Sequence, residues 1–262
     1  MDRIKISSII IARNEERNIE RCIKSQLYAV SEIIVIIDDT TTDRTVDIVR
    51  EMARSNQSIR YYIEKWRGYS ATKQLAVSYC SNDWILWIDA DEALSSELSD
   101  ALKNFNDDQH APAYSAPRRA NFLGHWINHS GWYPGRIERL FNKHLARFSD
   151  KDVHEHLVFN GQSGKLNNDI LHYTDPDIRH YFEKFNNYTS LAAGELTAKG
   201  RKAGLADILI RPPFLFFKMY ILRAGFRDGL AGFILASFSS MYVFVKYCKL
   251  WEKQQGRYDS EK

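Results

Sequence analysis

The chain is poor in cysteine. Cys22, Cys80 and Cys248 are the three in 262 residues, and they lie far apart with no C-x-x-C pair. Such a set builds neither a disulfide framework nor a tetrahedral zinc site, and a reducing compartment is expected. The glycines exclude as much by their arrangement. No G-x-G-x-x-G follows the first apolar run, against a dinucleotide-binding dehydrogenase, and no G-x-x-x-x-G-K-[ST] is present, against a P-loop enzyme. Internal repeats and low-complexity tracts are also missing. The formal charge of +3 is too small to argue for nucleic acid, and no recognition motif or concentrated basic face supports such a partner. The opening MDRIKISSIIIARNEE has an acid at position 2 and only a short apolar run before Arg13. It is poor as a signal peptide and reads as a first core strand.

What is present is an ordinary globular balance, 44% hydrophobic and 26% charged, in a length that allows one large domain or one with an appendage. Branched apolar runs at 4–12, 33–37 and 84–88, with a weaker one at 59–63, read as strands. Helical stretches near 16–27, 43–54 and 70–80 separate them, the last two entered through Thr42 and Ser70 as expected N-caps. This alternation predicts an α/β fold with a mostly parallel sheet covered on both faces, whose ligands bind at the carboxyl ends of the strands. Residues 110–173 break into short strand-like pieces around 113–117, 137–141, 145–148 and 153–159. From about 175 the pattern is helical.

Polar residues collect where that rule puts a ligand. The first strand ends in Ala12-Arg13-Asn14-Glu15, the second in Asp38-Asp39, and the run WILWIDADE ends in Asp89-Ala90-Asp91-Glu92. Carboxylates this dense repel one another and lose hydration, so a cation belongs beside them. Two Asp residues spaced by one form a hard-oxygen site suited to Mg²⁺ or Mn²⁺, which complete their shells with water and substrate phosphates. The pattern therefore points to a metal-bound diphosphate held without a glycine-rich cradle.

IIIARNEE resembles the opening strand of family-two glycosyltransferases, IIVIIDDTTTDRT their second-strand motif and WILWIDADE their D-x-D motif, in the family's order. GHWINHSGWYPGRIERLF, VHEHL, ILHYT and FRDGLAGF further resemble the branch containing lipopolysaccharide-core β-glucosyltransferases. The resemblance implies the GT-A fold, a nucleotide-sugar donor that is usually UDP-linked, and inversion at the anomeric carbon. It puts Asp38 and Glu15 near the nucleoside, within a donor-binding rim of Ala12, Arg13, Asn14, Glu15, Asp38, Asp89 and Ala90. Asp89 falls beside the ribose and diphosphate and is also a candidate metal ligand, with Asp91 directly on the metal and Lys73 near the nucleotide. Where relatives more often carry a serine and a glycine after the first Asp, this chain has DDTTTDRT. The role of Asp39 is thereby left open.

An inverting transfer needs a base across the sugar from the metal. DKDVHEHL supplies Asp152, Glu155 and two histidines, and Glu155 matches an acid in that branch; the alternative is a plain ion pair with a neighbouring Arg or Lys. His172 in ILHYT is a further candidate metal or phosphate ligand, or else a satisfied structural histidine. Trp132, with Trp126, offers a flat face for acceptor sugar rings or packs beneath a loop. Arg136 and Arg139 are candidates for an anionic acceptor.

The expected organisation is a nucleotide-sugar half over 1–108, an acceptor half over 109–174 and a helical region over 175–262. Residues 229–245 hold no charge, seventeen in a row, the short limit for a membrane span. Cations near 199–227 beside exposed aromatics suit instead a helical pair lying on an anionic leaflet. A helical cap or homodimer contact is the remaining alternative. The resulting expectation is a metal-dependent, inverting glycosyltransferase at the cytoplasmic membrane face. It would use UDP-glucose and a glycolipid or polysaccharide acceptor such as lipopolysaccharide core. Its rivals are a transferase of capsule, teichoic acid or glycoprotein assembly, and a non-catalytic nucleotide-sugar binding protein.

Overall fold

Strand β1 (Ile6–Ala12) and strand β2 (Glu32–Asp38) are buried at nearly every position because both of their faces are covered. Alternate residues go to different cores: Ile10, Ile33, Val35 and Ile37 join one cluster, while Ile9, Ile34 and Ile36 join another. The computed structural model describes residues 4–149 and 156–255. Between the early strands run α1 (Ile19–Gln26), α2 (Thr45–Ser55), β3 (Ile59–Glu64), α3 (Tyr69–Ser78) and β4 (Trp84–Trp87). Ile19, Ile23 and Val49 from α1 and α2 enter the first core, and Ala76 and Val77 from α3 the second.

The expected caps are not the ones used. Helix α2 begins at Thr45, where Asp43 rather than Thr42 accepts the Thr45 N–H (2.9 Å). Helix α3 begins at Tyr69 after Gly68, whose φ of 90° lies in the region that favours glycine, so Ser70 is inside the first turn and buried. A threonine or serine before an apolar run is a common cap signal, and here the left-handed glycine and a nearer carboxylate displace it.

The chain continues through β5 (Glu92–Leu94), α4 (Ser96–Lys103), β6 (Ala113–Phe122), β7 (His125–Trp126), β8 (Gly135–Asn142), β9 (Ala146–Phe148), β10 (Leu157–Phe159), β11 (Gly164–Lys165) and β12 (Ile170–Asp175). The main sheet has the order β3-β2-β1-β4-β8-β6-β12-β5. Pairs β3–β2, β2–β1 and β1–β4 are parallel, whereas β4–β8, β8–β6 and β12–β5 are antiparallel. The chain leaves β1 toward β2 on one side and returns to β4 on the other. That reversal opens a crevice beyond the carboxyl ends of β1 and β4.

Two compact units result. The first comprises residues up to 118 together with 135–173, and the second comprises 119–134 with the chain from 174. The second unit contains α5 (Ile178–Ala198), α6 (Leu205–Leu209), α7 (Arg211–Phe217), a π-helical turn (Lys218–Leu222), a 3-10 turn (Gly225–Asp228) and α8 (Gly229–Gln254). Its core joins Phe122 and Ile127 to Met219, Ala231, Leu235 and Ala236. In the first turn of α8 the backbone approaches the 3-10 turn so closely that a Cβ on Gly232 would stand 2.0 Å from the Gly225 carbonyl oxygen. Only glycine fits there.

Candidate active site

The carboxyl ends of β1, β2 and β4 meet in the first unit with the acidic clusters at their tips. After β1, Asn14 adopts φ 55° and its Oδ1 accepts the Thr42 N–H at 2.9 Å, while the Glu15 N–H donates to Thr45 Oγ1 at 2.8 Å. These bonds tie the loop after β1 to the start of α2. Asp38 ends β2 and is buried. Its Oδ1 accepts from the Thr40 N–H (2.8 Å) and hydroxyl (2.6 Å), and the Thr40 hydroxyl above all, against burial and with Arg13 nearby, holds the carboxyl below its usual range. The second oxygen, Oδ2, is buried without a hydrogen-bond partner among the described residues, with Arg13 Nε at 3.9 Å. A buried carboxylate oxygen left open is an acceptor waiting for a donor.

Asp89 is the most heavily engaged acid of the rim. Oδ1 accepts from Trp87 Nε1 at 3.0 Å and faces Lys73 Nζ at 3.4 Å, and Oδ2 accepts from Arg139 Nη2 at 2.6 Å. Burial would raise this carboxyl, but Arg139 and Lys73 outweigh it and hold it well below the ordinary range. The same Arg139 nitrogen donates to Glu92 Oε1 at 2.7 Å. Glu92 takes the Asp89 N–H on its other oxygen (3.1 Å), with Arg118 more loosely placed at 3.5 Å. Glu92 is fully buried, and burial pushes its pKa up despite Arg139. Lys73 is 1% exposed and Arg139 2%. Both cations also lie on the Trp87 ring, at 3.6 and 4.0 Å from its centroid.

Asp91 is arranged differently. Its side chain is a quarter exposed, and Oδ2 stands 3.2 Å from His172 Nε2. Strand β12 brings the histidine there by pairing with β5, with His172 opposite Glu92, and the Tyr173 N–H donates to the Asp91 carbonyl at 2.9 Å. Ala90 between the two aspartates is buried, which turns them to different surroundings. An oxygen and an imidazole nitrogen side by side and open to solvent suit a divalent ion that takes its other ligands from water and phosphate. Among the described residues no group of three or more His, Cys, Asp or Glu is arranged to hold a metal ion by itself.

The remaining sequence candidates fall in varied places. Arg139 is not on the surface but beneath Asp89. Arg136 spends its guanidinium on the carbonyls of Ser115 (2.7 Å) and Leu166 (2.6 Å). Trp132 belongs to the second unit, where its ring meets the edge of Phe122 at 6.2 Å between centroids. Glu155, with Asp152, lies outside the described residues. The roles of Trp87 and Glu92 are not apparent from the sequence; Trp87 is the last residue of β4, two before Asp89, and its Nε1 reaches that carboxylate.

Residues 7–161 match Glycosyl transferase family 2. The chain belongs to that family, and is a glycosyltransferase of GT-A fold. Across 254 residues it is 30% identical to the lipopolysaccharide core biosynthesis glycosyltransferase LpsC of Rhizobium meliloti, covering 96% of this chain and 93% of that one. It is 32% identical over 260 residues to an uncharacterized glycosyltransferase of Rickettsia felis, covering 95% and 90%. A crystal structure of S. aureus TarS 1-349 in complex with UDP-GlcNAc aligns with a TM-score of 0.46 at 14% identity, over 98% of this chain and 93% of that one.

Proposed function

We propose that the protein is a metal-dependent, inverting hexosyltransferase that moves a sugar, glucose from UDP-glucose as the leading donor, to a lipopolysaccharide-core acceptor at the inner face of the cytoplasmic membrane. The observation that carries the donor reading is the rim itself: an open buried oxygen on Asp38, an Asp89 fixed by two cations, and an Asp91–His172 pair with room for more ligands. The core acceptor rests on the likeness to LpsC over nearly the whole chain. In this reading residues 1–108 hold the donor, 109–174 serve the acceptor and 175–262 meet the membrane.

Asp91 and His172 would hold Mg²⁺ or Mn²⁺, and the ion when bound supplies Lewis-acid stabilisation of the departing diphosphate. Asp89, held by Trp87, Lys73 and Arg139 with its side chain a third exposed, orients the turn and the ribose, and its remaining lone pairs make it a further candidate ligand of the ion. Asp38 accepts an N–H of the nucleobase, with Arg13, Asn14 and Glu15 closing the same rim. The acceptor hydroxyl attacks the anomeric carbon as the bond to the diphosphate oxygen breaks, and Glu155 receives the hydroxyl proton on the side away from the leaving group.

The test is binding and slow hydrolysis of UDP-, GDP- and dTDP-sugars with Mn²⁺ or with EDTA, for the wild type and Asp91→Ala. A metal-dependent preference for one donor, lost in the variant, is expected. Donor binding without any hydrolysis or transfer would favour the non-catalytic reading, and no binding under any condition would overturn the donor assignment.

A further inference from the structure

Helix α8 is apolar on two opposite sides, and its own unit uses one of them. Ala231, Leu235, Ala236, Tyr247 and Leu250 are buried against the neighbouring helices of the second unit. On the other side Leu230, Phe233, Met241, Phe244 and Trp251 are exposed. With Ser237 and Cys248 they form one stripe spaced by three or four residues, confined to about 80° of the helix circumference at 3.6 residues per turn. From Leu230 to Trp251 the stripe covers most of α8, roughly 30 Å at 1.5 Å per residue.

Exposed apolar side chains are also frequent in the segment that leads into α8. Leu205, Leu209, Phe214, Phe217, Leu222 and Phe226 all face solvent, Leu205 at 78%. Between 199 and 233 the chain carries seven basic residues and two acidic ones. Both acids are engaged internally: Asp207 pairs with Arg211 (2.5 Å) and Arg201 (3.6 Å), and Asp228 accepts from His129. The exposed cations Lys218, Arg223 and Arg227 are interleaved with the apolar side chains.

Three occupants could cover such a surface, and the charges and spacing separate them. A second copy would bring two cationic surfaces together, and the 3-4-4-3-4-3 spacing of the stripe breaks the alternating heptad register of a coiled-coil seam. Insertion of α8 across a bilayer is allowed by length and composition alone, but it would strip Leu235, Ala236, Tyr247 and Leu250 from their core. An anionic lipid surface takes the apolar side chains into its interface and neutralises the cations around them.

We propose that this cation-bordered apolar side of the second unit docks in plane on an anionic lipid leaflet. The inference deepens the reading above, on which its biological sense rests, by naming the surface and its partner.

Flotation of the full chain with vesicles tests it, without donor or metal, so that its outcome is independent of the donor assay. Vesicles of phosphatidylglycerol in phosphatidylethanolamine are compared with phosphatidylcholine vesicles at low and high salt. Binding to the anionic vesicles, weakened by salt, is expected. The double variants Leu222→Ser/Leu230→Ser and Lys218→Gln/Arg227→Gln, checked for folding by circular dichroism, should each lower the vesicle partition coefficient about tenfold or more. Wild-type protein left in the supernatant with anionic vesicles at low salt would overturn the proposal. So would a dimer in sedimentation velocity that Leu222→Ser/Leu230→Ser dissociates, or vesicle binding that resists alkaline carbonate, which would mean a spanning helix.

Discussion

Replacing Arg139 by methionine tests whether a buried cation holds the D-x-D turn in shape. The guanidinium is 2% exposed and joins Asp89 at 2.6 Å to Glu92 at 2.7 Å through one nitrogen. After the substitution Asp89 keeps Lys73 and Trp87, but the fully buried Glu92 is left with one backbone N–H and Arg118 at 3.5 Å. Removing one partner of a buried ion pair costs about 3–5 kcal/mol, and the residual contacts put this site near the lower end. The Glu92 pKa is already raised by burial and rises further once Arg139 is gone. The cost therefore has a definite sign with pH: it is present above the ordinary carboxylate range and relieved as pH falls through the raised value, where Glu92 takes a proton. Urea unfolding followed by tryptophan fluorescence, with Trp84 and Trp87 buried in this unit, gives the loss at neutral and at mildly acidic pH. Arg139→Met/Glu92→Gln removes both charges and should recover most of it. A single-variant loss below about 1 kcal/mol, the range of exposed pairs, or a double variant no better than the single, would refute the argument.

Four other outcomes are expected. Asp91→Ala, at a partly exposed residue whose side chain meets His172, should change stability by no more than about 0.5 kcal/mol, while calorimetry shows the Mn²⁺-dependent part of donor affinity abolished. Asp38 has a lowered pKa, so its contribution to stability is present above the ordinary Asp value and lost as pH falls below it; the stability gap between wild type and Asp38→Asn should accordingly shrink on acidification. Asp228 accepts from the backbone N–H groups of Asn128 (3.2 Å) and His129 (2.9 Å) and meets His129 Nδ1 at 2.8 Å; Asp228→Ala should cost about 1–3 kcal/mol in urea unfolding by leaving those donors unmatched. Gly232→Ala should destabilise the second unit more than an exposed helical substitution does, because the Gly225 carbonyl it would strike is backbone; an unchanged thermal midpoint would contradict the close approach.

The parts of this molecule legible in its sequence are those where one physical requirement dominates. Strands β1, β2 and β4 must be apolar on both faces, so their residues betray them, and the acids at their ends then mark the crevice without any further information. Strands β5 and β12 escape the same reading because each is short or half-exposed and carries Glu92 or His172 in place of an apolar residue. Their pairing is nonetheless what brings His172 to Asp91, across a separation of 81 residues that no local pattern encodes. Arg139 illustrates the complementary loss. A sequence records that an arginine is charged but not how deep it lies, and a surface role for an anionic acceptor is the natural expectation for RIERLF. Depth reverses its meaning: buried between Asp89 and Glu92, it fixes the first aspartate of the D-x-D, while Asp91 meets His172. The two acids that look equivalent in the sequence thus lie in different surroundings in the fold, Asp89 among a tryptophan, a lysine and an arginine and Asp91 beside His172.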